Sequence, residues 1–141
     1  KEVFLHIPNK DDLMKDIYRV LKPGGLVAAS DWMRIDDNPP SIQMQEYIAA
    51  EGLDMYMCSL KRYEQALKNA GFIDIAIKDR NAWYLGKAQQ ELANIEGPLN
   101  KQVIDAIGLE ETTGAIDIWK KLIGVLELGE HRPGHFKAVK K

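Results

Sequence analysis

Tyr18-Arg19-Val20-Leu21-Lys22-Pro23-Gly24-Gly25-Leu26-Val27-Ala28-Ala29-Ser30-Asp31 is the stretch on which the fold turns. It begins as the end of a helix and finishes as a strand. Pro23 cannot continue a helix, and Gly24-Gly25 supply the positive φ values that a helix C-terminus commonly needs. Working upstream, Leu13, Ile17, Val20 and Leu21 recur at helical spacing. Asn9 stands as N-cap before them, with Asp11 and Asp12 in the dipole-favoured first turn. Residues 2–7 form a short β-type run. The reading is therefore strand, helix, strand, a βαβ unit of right-handed crossover. Leu26-Val27-Ala28-Ala29 is continuously apolar, which predicts a strand covered on both faces in a parallel sheet.

Downstream, Asp36-Asp37-Asn38-Pro39-Pro40 is a turn-rich linker, and Ser41 caps a helix that runs to about Ala50 and ends at Gly52. Ser59 starts a helix with Leu60, Tyr63, Leu67 and Ala70 on its apolar face, and Gly71 stops it. Phe72, Ile73, Ile75 and Ile77 make a strand. From Ala82 to Gly129 the pattern is helical, broken at Gly97-Pro98 and near Gly108, and His135 to Val139 is a terminal strand. The expected organisation is a βαβ unit over 1–33, a helical substrate-lid region over 34–71, and terminal strands with a helical insertion over 72–141. Four strands are fewer than a doubly wound fold usually carries, and no Gly-x-Gly-x-x-Gly turn is present. The expectation is the C-terminal portion of a larger α/β protein; the absent initiator Met agrees with it.

The 141 residues are 45% hydrophobic, so the chain can bury a core. Nineteen Lys and Arg against 21 Asp and Glu give a net charge of −2. That leaves no broad basic field for nucleic acid or anionic lipid. No apolar run reaches the roughly 18 residues of a membrane span, and Lys1 to Pro8 is no signal peptide. A single cysteine, Cys58, excludes an internal disulfide. A cytoplasmic protein without nucleic-acid or membrane partners is expected.

Three segments together carry a resemblance: Glu2-Val3-Phe4-Leu5-His6-Ile7-Pro8-Asn9-Lys10, the Tyr18 to Gly25 run, and the strand into Ser30-Asp31-Trp32. They resemble the second half of class I S-adenosylmethionine-dependent methyltransferases. Gln45-Glu46-Tyr47 and Gly134-His135-Phe136-Lys137-Ala138-Val139-Lys140 are similar, more narrowly, to phosphoethanolamine N-methyltransferases and their bacterial relatives. The resemblance implies an α/β fold, the C-terminal portion of a Rossmann-like class I methyltransferase without its cofactor-binding half. It also implies S-adenosylmethionine as cofactor of the full-length parent and a small-molecule methyl acceptor. In that family an acidic residue four positions before a histidine lies beside the amine, and the histidine handles the proton with a tyrosine. Glu2 and His6 take those places as catalytic candidates. Lys1 falls where a basic residue near the cofactor is expected. Tyr47 matches a substrate-pocket tyrosine, and Trp32 stands where another would be. The family's phosphate-binding arginine would fall near Glu51 and its phosphate-binding lysine at Leu122.

The chemistry of the residues agrees with such roles. Methyl transfer to an amine needs a free lone pair, and a histidine of ordinary pKa near 6.5 can take the ammonium proton. Trp32 and Tyr47 can face a cation, or serve as packing. Asp31 and Tyr56 complete the acceptor-binding candidates, set against plain roles at a strand end and over the core. His131 and His135 flank Pro133 with no metal-ligand spacing and are read as structural or solvent-facing. No metal site is expected. The first reading is an N-methyltransferase portion, inactive alone, that acts in its parent on a small polar acceptor. The alternative is a non-catalytic assembly module built from the same fold; a carbon or oxygen acceptor is a third. Loss of the strands flanking Glu2 to His6 predicts a homo-oligomer through an exposed strand edge.

Overall fold

The computed structural model describes residues 2–141. Three strands, β1 (Leu26–Asp31), β2 (Phe72–Asp79) and β3 (Gly134–Lys140), form one sheet in the order β1-β3-β2. Both pairings are antiparallel, with Ala28 opposite Lys137 and Ile77 opposite Phe136. The helices are α1 (Lys10–Val20), α2 (Ile42–Glu51), α3 (Leu60–Ala70), α4 (Asn81–Glu96), α5 (Asn100–Ile107) and α6 (Leu109–Glu127).

The local signals act as their chemistry requires. Asn9, Ser41 and Ser59 each accept the backbone N–H three residues on, from Asp12, Met44 and Arg62. Gly71 ends α3 at φ 98°, a left-handed conformation that favours glycine. The breaks at Gly97-Pro98 and Gly108 divide α4, α5 and α6.

The parallel reading of the opening unit is corrected. Residues 2–7 are no strand: Phe4–His6 form a single 3₁₀ turn, and one bond, Glu2 N–H to the Ser30 carbonyl at 2.9 Å, ties them to β1. Lys10 gives the physical reason. Its ammonium, on a residue only 2% exposed, donates to the carbonyls of both Phe4 and Ile7. In a strand, carbonyls three residues apart point to opposite sides; a tight turn brings them to one cation. The expected four strands are therefore three. β1 takes its partner from the far end of the chain, and none of the described elements covers its second face. A groove of about 650 Å³ runs across that face, past Ala28, Ser30, Ala76, Lys78, His135 and Lys137.

The covered face of the sheet packs on α1 and α3, where Met14, Val27, Tyr63, Leu67, Phe72 and Phe136 are buried. A second core joins α2, α4 and α6 through Met44, Tyr47, Ala88, Leu122, Val125 and Leu126, and Leu5 plugs it from the opening turn. Arg34 joins loop to loop, donating to Glu130 at 2.8 Å and to the Asn38 carbonyl at 2.7 Å. Glu130 also accepts the Ser41 N–H at 3.1 Å, so the start of α2 is fixed to the loop before β3. No described helix is long and apolar enough to cross a membrane.

Candidate active site

Where β1 ends, Trp32 enters a cavity enclosed by α4 and α6. It has two adjoining lobes, each about 400 Å³, with Glu2, Trp32, Tyr84 and Trp119 as their common wall. The first lobe adds Arg80, Trp83, Lys87 and His135. The second adds Glu51, Ile118 and Leu122. Burial pushes the Tyr84 hydroxyl up to about 12, and the Glu2 carboxylate adds to the effect, so Tyr84 stays a neutral donor at physiological pH. Three aromatic rings and a carboxylate around one cavity suit a small organic cation.

Beneath the cavity floor lies a cluster of rings. Trp32 meets His131 edge-on at 5.5 Å between centroids, and Tyr47 lies 5.7 Å from His131 and 6.2 Å from Trp32. His131 and Tyr47 are both fully buried. Desolvation holds His131 down at about 3, so the imidazole is neutral. Tyr47 is raised well above the usual phenol range, first by burial and then by the Glu51 charge.

The other sequence candidates spread over three places. Asp31 is 1% exposed, and its Oδ2 accepts the Tyr63 hydroxyl at 2.5 Å within the first core. Burial raises its carboxyl, against the opposing pull of the Tyr63 hydroxyl. His6 is exposed at the end of the opening turn, and its Nδ1 lies 2.7 Å from the Asp54 carbonyl. A carbonyl only accepts, so Nδ1 carries the hydrogen and Nε2 keeps the lone pair. Tyr56, also exposed, is on the same corner, where its N–H donates to the Leu5 carbonyl at 2.7 Å. Lys1 lies outside the described residues. The structure thus gathers Glu2 and Trp32 at the cavity with Tyr47 below it, and leaves Asp31, His6 and Tyr56 off its lining. Arg80, Trp83, Tyr84, Lys87 and Trp119 were missed in the sequence. The first four repeat at helical intervals along one face of α4, a periodicity that marks a shared wall. Among the described residues no cluster of His, Cys, Asp or Glu could hold a metal ion.

The sequence is 33% identical over 140 residues to a phosphoethanolamine N-methyltransferase of Triticum aestivum; the match takes in 99% of this chain and 27% of the relative. With a sarcosine/dimethylglycine N-methyltransferase of Halorhodospira halochloris it shares 29% identity over 122 residues, 84% of this chain and 43% of the relative. Among solved structures, the Haemonchus contortus phosphoethanolamine N-methyltransferase 2, in complex with phosphomonomethylethanolamine and S-adenosylhomocysteine, superposes with a TM-score of 0.87 at 26% identity. That alignment covers 99% of this chain and 32% of the other. The fold is that of the C-terminal portion of class I S-adenosylmethionine-dependent methyltransferases. No protein-family model matches the chain. The chain spans about a quarter to under half the length of these methyltransferase relatives, and its three-stranded sheet is the C-terminal portion of the methyltransferase fold.

This portion of the methyltransferase fold is not built to hold the nucleotide cofactor. Neither strand-to-helix connection, 32–41 or Arg80 alone, contains a glycine. Gly24 and Gly25 instead close the turn after α1, where Gly24 N–H donates to the Lys140 carbonyl at 2.9 Å. A Cβ on Gly25 would meet the Lys22 carbonyl at 2.7 Å. These glycines answer a turn's geometry, and the residues present do not form a phosphate cradle.

Proposed function

We propose that this chain supplies the acceptor-binding wall of an S-adenosylmethionine-dependent N-methyltransferase whose acceptor is a small polar amine. The observation that carries this reading is the cavity in which Glu2 stands among Trp32, Tyr84 and Trp119. A carboxylate beside π faces attracts an ammonium and orients it, and half-buried aromatic walls exclude water from it. The sequence relationship to N-methyltransferases of phosphoethanolamine and sarcosine supports an amine acceptor. The cofactor belongs to the part of the parent that the relatives have and this chain does not, so the portion alone is inactive.

The family resemblance assigns His6 the proton-accepting role, from an exposed corner off the cavity lining. Asp54 fixes its tautomer and leaves Nε2 basic, one short turn along the chain from Glu2. Trp32 bounds the acceptor, Tyr47 supports Trp32 from below, and Asp31 holds the end of β1 through Tyr63. A second copy of the chain is the partner expected for this portion when it is isolated.

The experiment is methyl transfer by the full-length protein to ethanolamine, phosphoethanolamine, glycine and sarcosine. His6→Ala is expected to lower kcat about 10²- to 10⁴-fold. An unchanged rate on these amines would remove His6 as the proton acceptor. Absence of transfer to every amine would sink the reading.

A further inference from the structure

Three segments of the chain meet twice. Under the cavity they meet as rings, Trp32 from the loop after β1, Tyr47 from α2 and His131 from the loop before β3. A few residues along, the same segments meet as polar groups, Arg34, Ser41 and Glu130. Glu130 is the centre of this second meeting. Its Oε1 accepts Arg34 Nη2 at 2.8 Å and the Ser41 backbone N–H at 3.1 Å, and its Oε2 accepts the Ser41 hydroxyl. Ser41 Oγ in turn accepts the Met44 N–H at 3.1 Å as the cap of α2. Backbone bonds hold the two loops in one register, Ile35 N–H donating to the Glu130 carbonyl at 2.9 Å and Arg132 N–H to the Met33 carbonyl at 2.7 Å. The Arg34 and Glu130 side chains are only 8% and 13% exposed, and Arg34 Nε is buried without a hydrogen-bond partner. Desolvation takes back much of what such a pair gains by attraction, and well-packed apolar side chains often hold a fold equally well. What apolar side chains do not supply is direction. Three bonds to one carboxylate fix where α2 starts, and α2 then delivers Tyr47 to the ring cluster and Glu51 to the second lobe. Arg34, Ser41 and Glu130 themselves line neither lobe.

We propose that Glu130 is a positioning residue for the acceptor site: through Arg34 and Ser41 it sets the loop that carries Trp32 against the helix that carries Glu51, and with them the affinity for the methyl acceptor. This rests on the cavity being the acceptor site. The start of α2 depends on these bonds because its first residue, Ile42, is 74% exposed and the helix buries only Met44 and Tyr47. Apolar burial is non-directional, so without Glu130 those two side chains hold α2 near the second core and do not fix its placement. A misplacement of about 1 Å at a site is enough to cost about a hundredfold in rate.

Asp37 supplies the control. It holds the start of α3 in the same manner, accepting the Ser59 N–H and the Ser59 hydroxyl, each at 2.7 Å, but α3 carries no residue that lines the cavity. In the full-length protein, Glu130→Ala should raise KM about tenfold for the best methylated of ethanolamine, phosphoethanolamine, glycine and sarcosine, with kcat within about threefold and cofactor affinity within about twofold. Glu130→Gln should raise it less, since its carbonyl still accepts the Ser41 N–H, and Asp37→Ala should leave it within about twofold. Arg34→Met combined with Glu130→Met removes both buried charges; it should recover most of the melting temperature that Glu130→Ala loses, with KM still raised. Where the melting temperature does not recover, the comparison with Asp37→Ala decides. A KM that returns with the melting temperature, that rises equally in Asp37→Ala, or that does not move in Glu130→Ala overturns the proposal. Near-ultraviolet circular dichroism follows the Trp32 and Tyr47 rings without turnover. An aromatic spectrum altered in the Glu130 variants and not in Asp37→Ala, in a protein that methylates none of the four amines, keeps Glu130 as the residue that places the rings and removes the acceptor-site reading. Methylation with spectrum and KM both indifferent to Glu130 does the reverse.

Discussion

His131 shows at residue scale how burial sets chemistry. It is sealed against Trp32 and Tyr47, and its folded pKa of about 3 lies far below the ordinary value near 6.5. The neutral ring is therefore the folded form, whereas the unfolded chain takes up a proton below about pH 6.5. Stability from this group is full above that pH and falls as pH drops toward 3, by about 1.4 kcal/mol per pH unit. Glu130 opposes the shift only in part. His131→Phe keeps a ring for the aromatic neighbours and removes the titration. Urea unfolding at pH 7 and pH 5 should show the wild-type protein losing about 2 kcal/mol more than the variant between the two; an equal loss in both would refute the assignment. The sequence marked His131 as a non-ligand from its lack of metal spacing. Its aromatic setting, which joins Trp32 on one loop to Tyr47 on α2, exists only after folding.

At the scale of single elements, the caps were legible because their chemistry is local. Ser59 is the strongest case, since its Oγ accepts the Arg62 N–H at 3.0 Å and also donates to Asp37 at 2.7 Å. Ser59→Ala removes a cap and leaves Asp37 with one partner fewer, at an expected cost of about 1–2 kcal/mol, read from the urea midpoint at unchanged m-value. Ser59→Asp should lose more despite being a good capping residue, because its charge would face Asp37. The 2–7 run was misread for the opposite reason. Its apolar residues fit a strand, yet Phe4 and Leu5 serve two different cores and the carbonyls converge on Lys10. A lysine reads as a solvated helix residue until its burial is seen. Arg80 likewise looks like a boundary residue, and its position in a cavity follows from how α4 lies against α6.

At the scale of the whole molecule, the sheet has two unlike edges. β2 carries a bulge between Ile73 and Ala76 with Asp74 at φ 50°, a feature that blunts an edge against pairing. The outer edge of β1 from Leu26 to Ala29 has no strand beside it among the described residues, and the groove next to it is lined by Ala28 and Ala76. The edge available for association is thus that of β1, and not a strand at Glu2 to His6. An isolated chain should dimerise by antiparallel pairing of β1 with its copy across a two-fold axis. Light scattering should give twice the 16.0 kDa chain mass at high concentration, and Ala28→Lys together with Leu26→Lys should return it to one chain. A single-chain mass for the unsubstituted protein at every concentration would count against this.

The sequence by itself determined the helices, their caps and breaks, the terminal strands and the methyltransferase relationship, because each depends on neighbours a few residues away or on motifs contiguous in the chain. Tertiary structure alone decided that β1 pairs antiparallel with β3, 103 or more positions later, and that Arg80, Lys87 and Trp119 meet Glu2 and Trp32 around one cavity. Burial decided the remainder. Desolvation made Lys10 and His131 core residues, and desolvation is a property of the packed surroundings that no residue carries in its own identity.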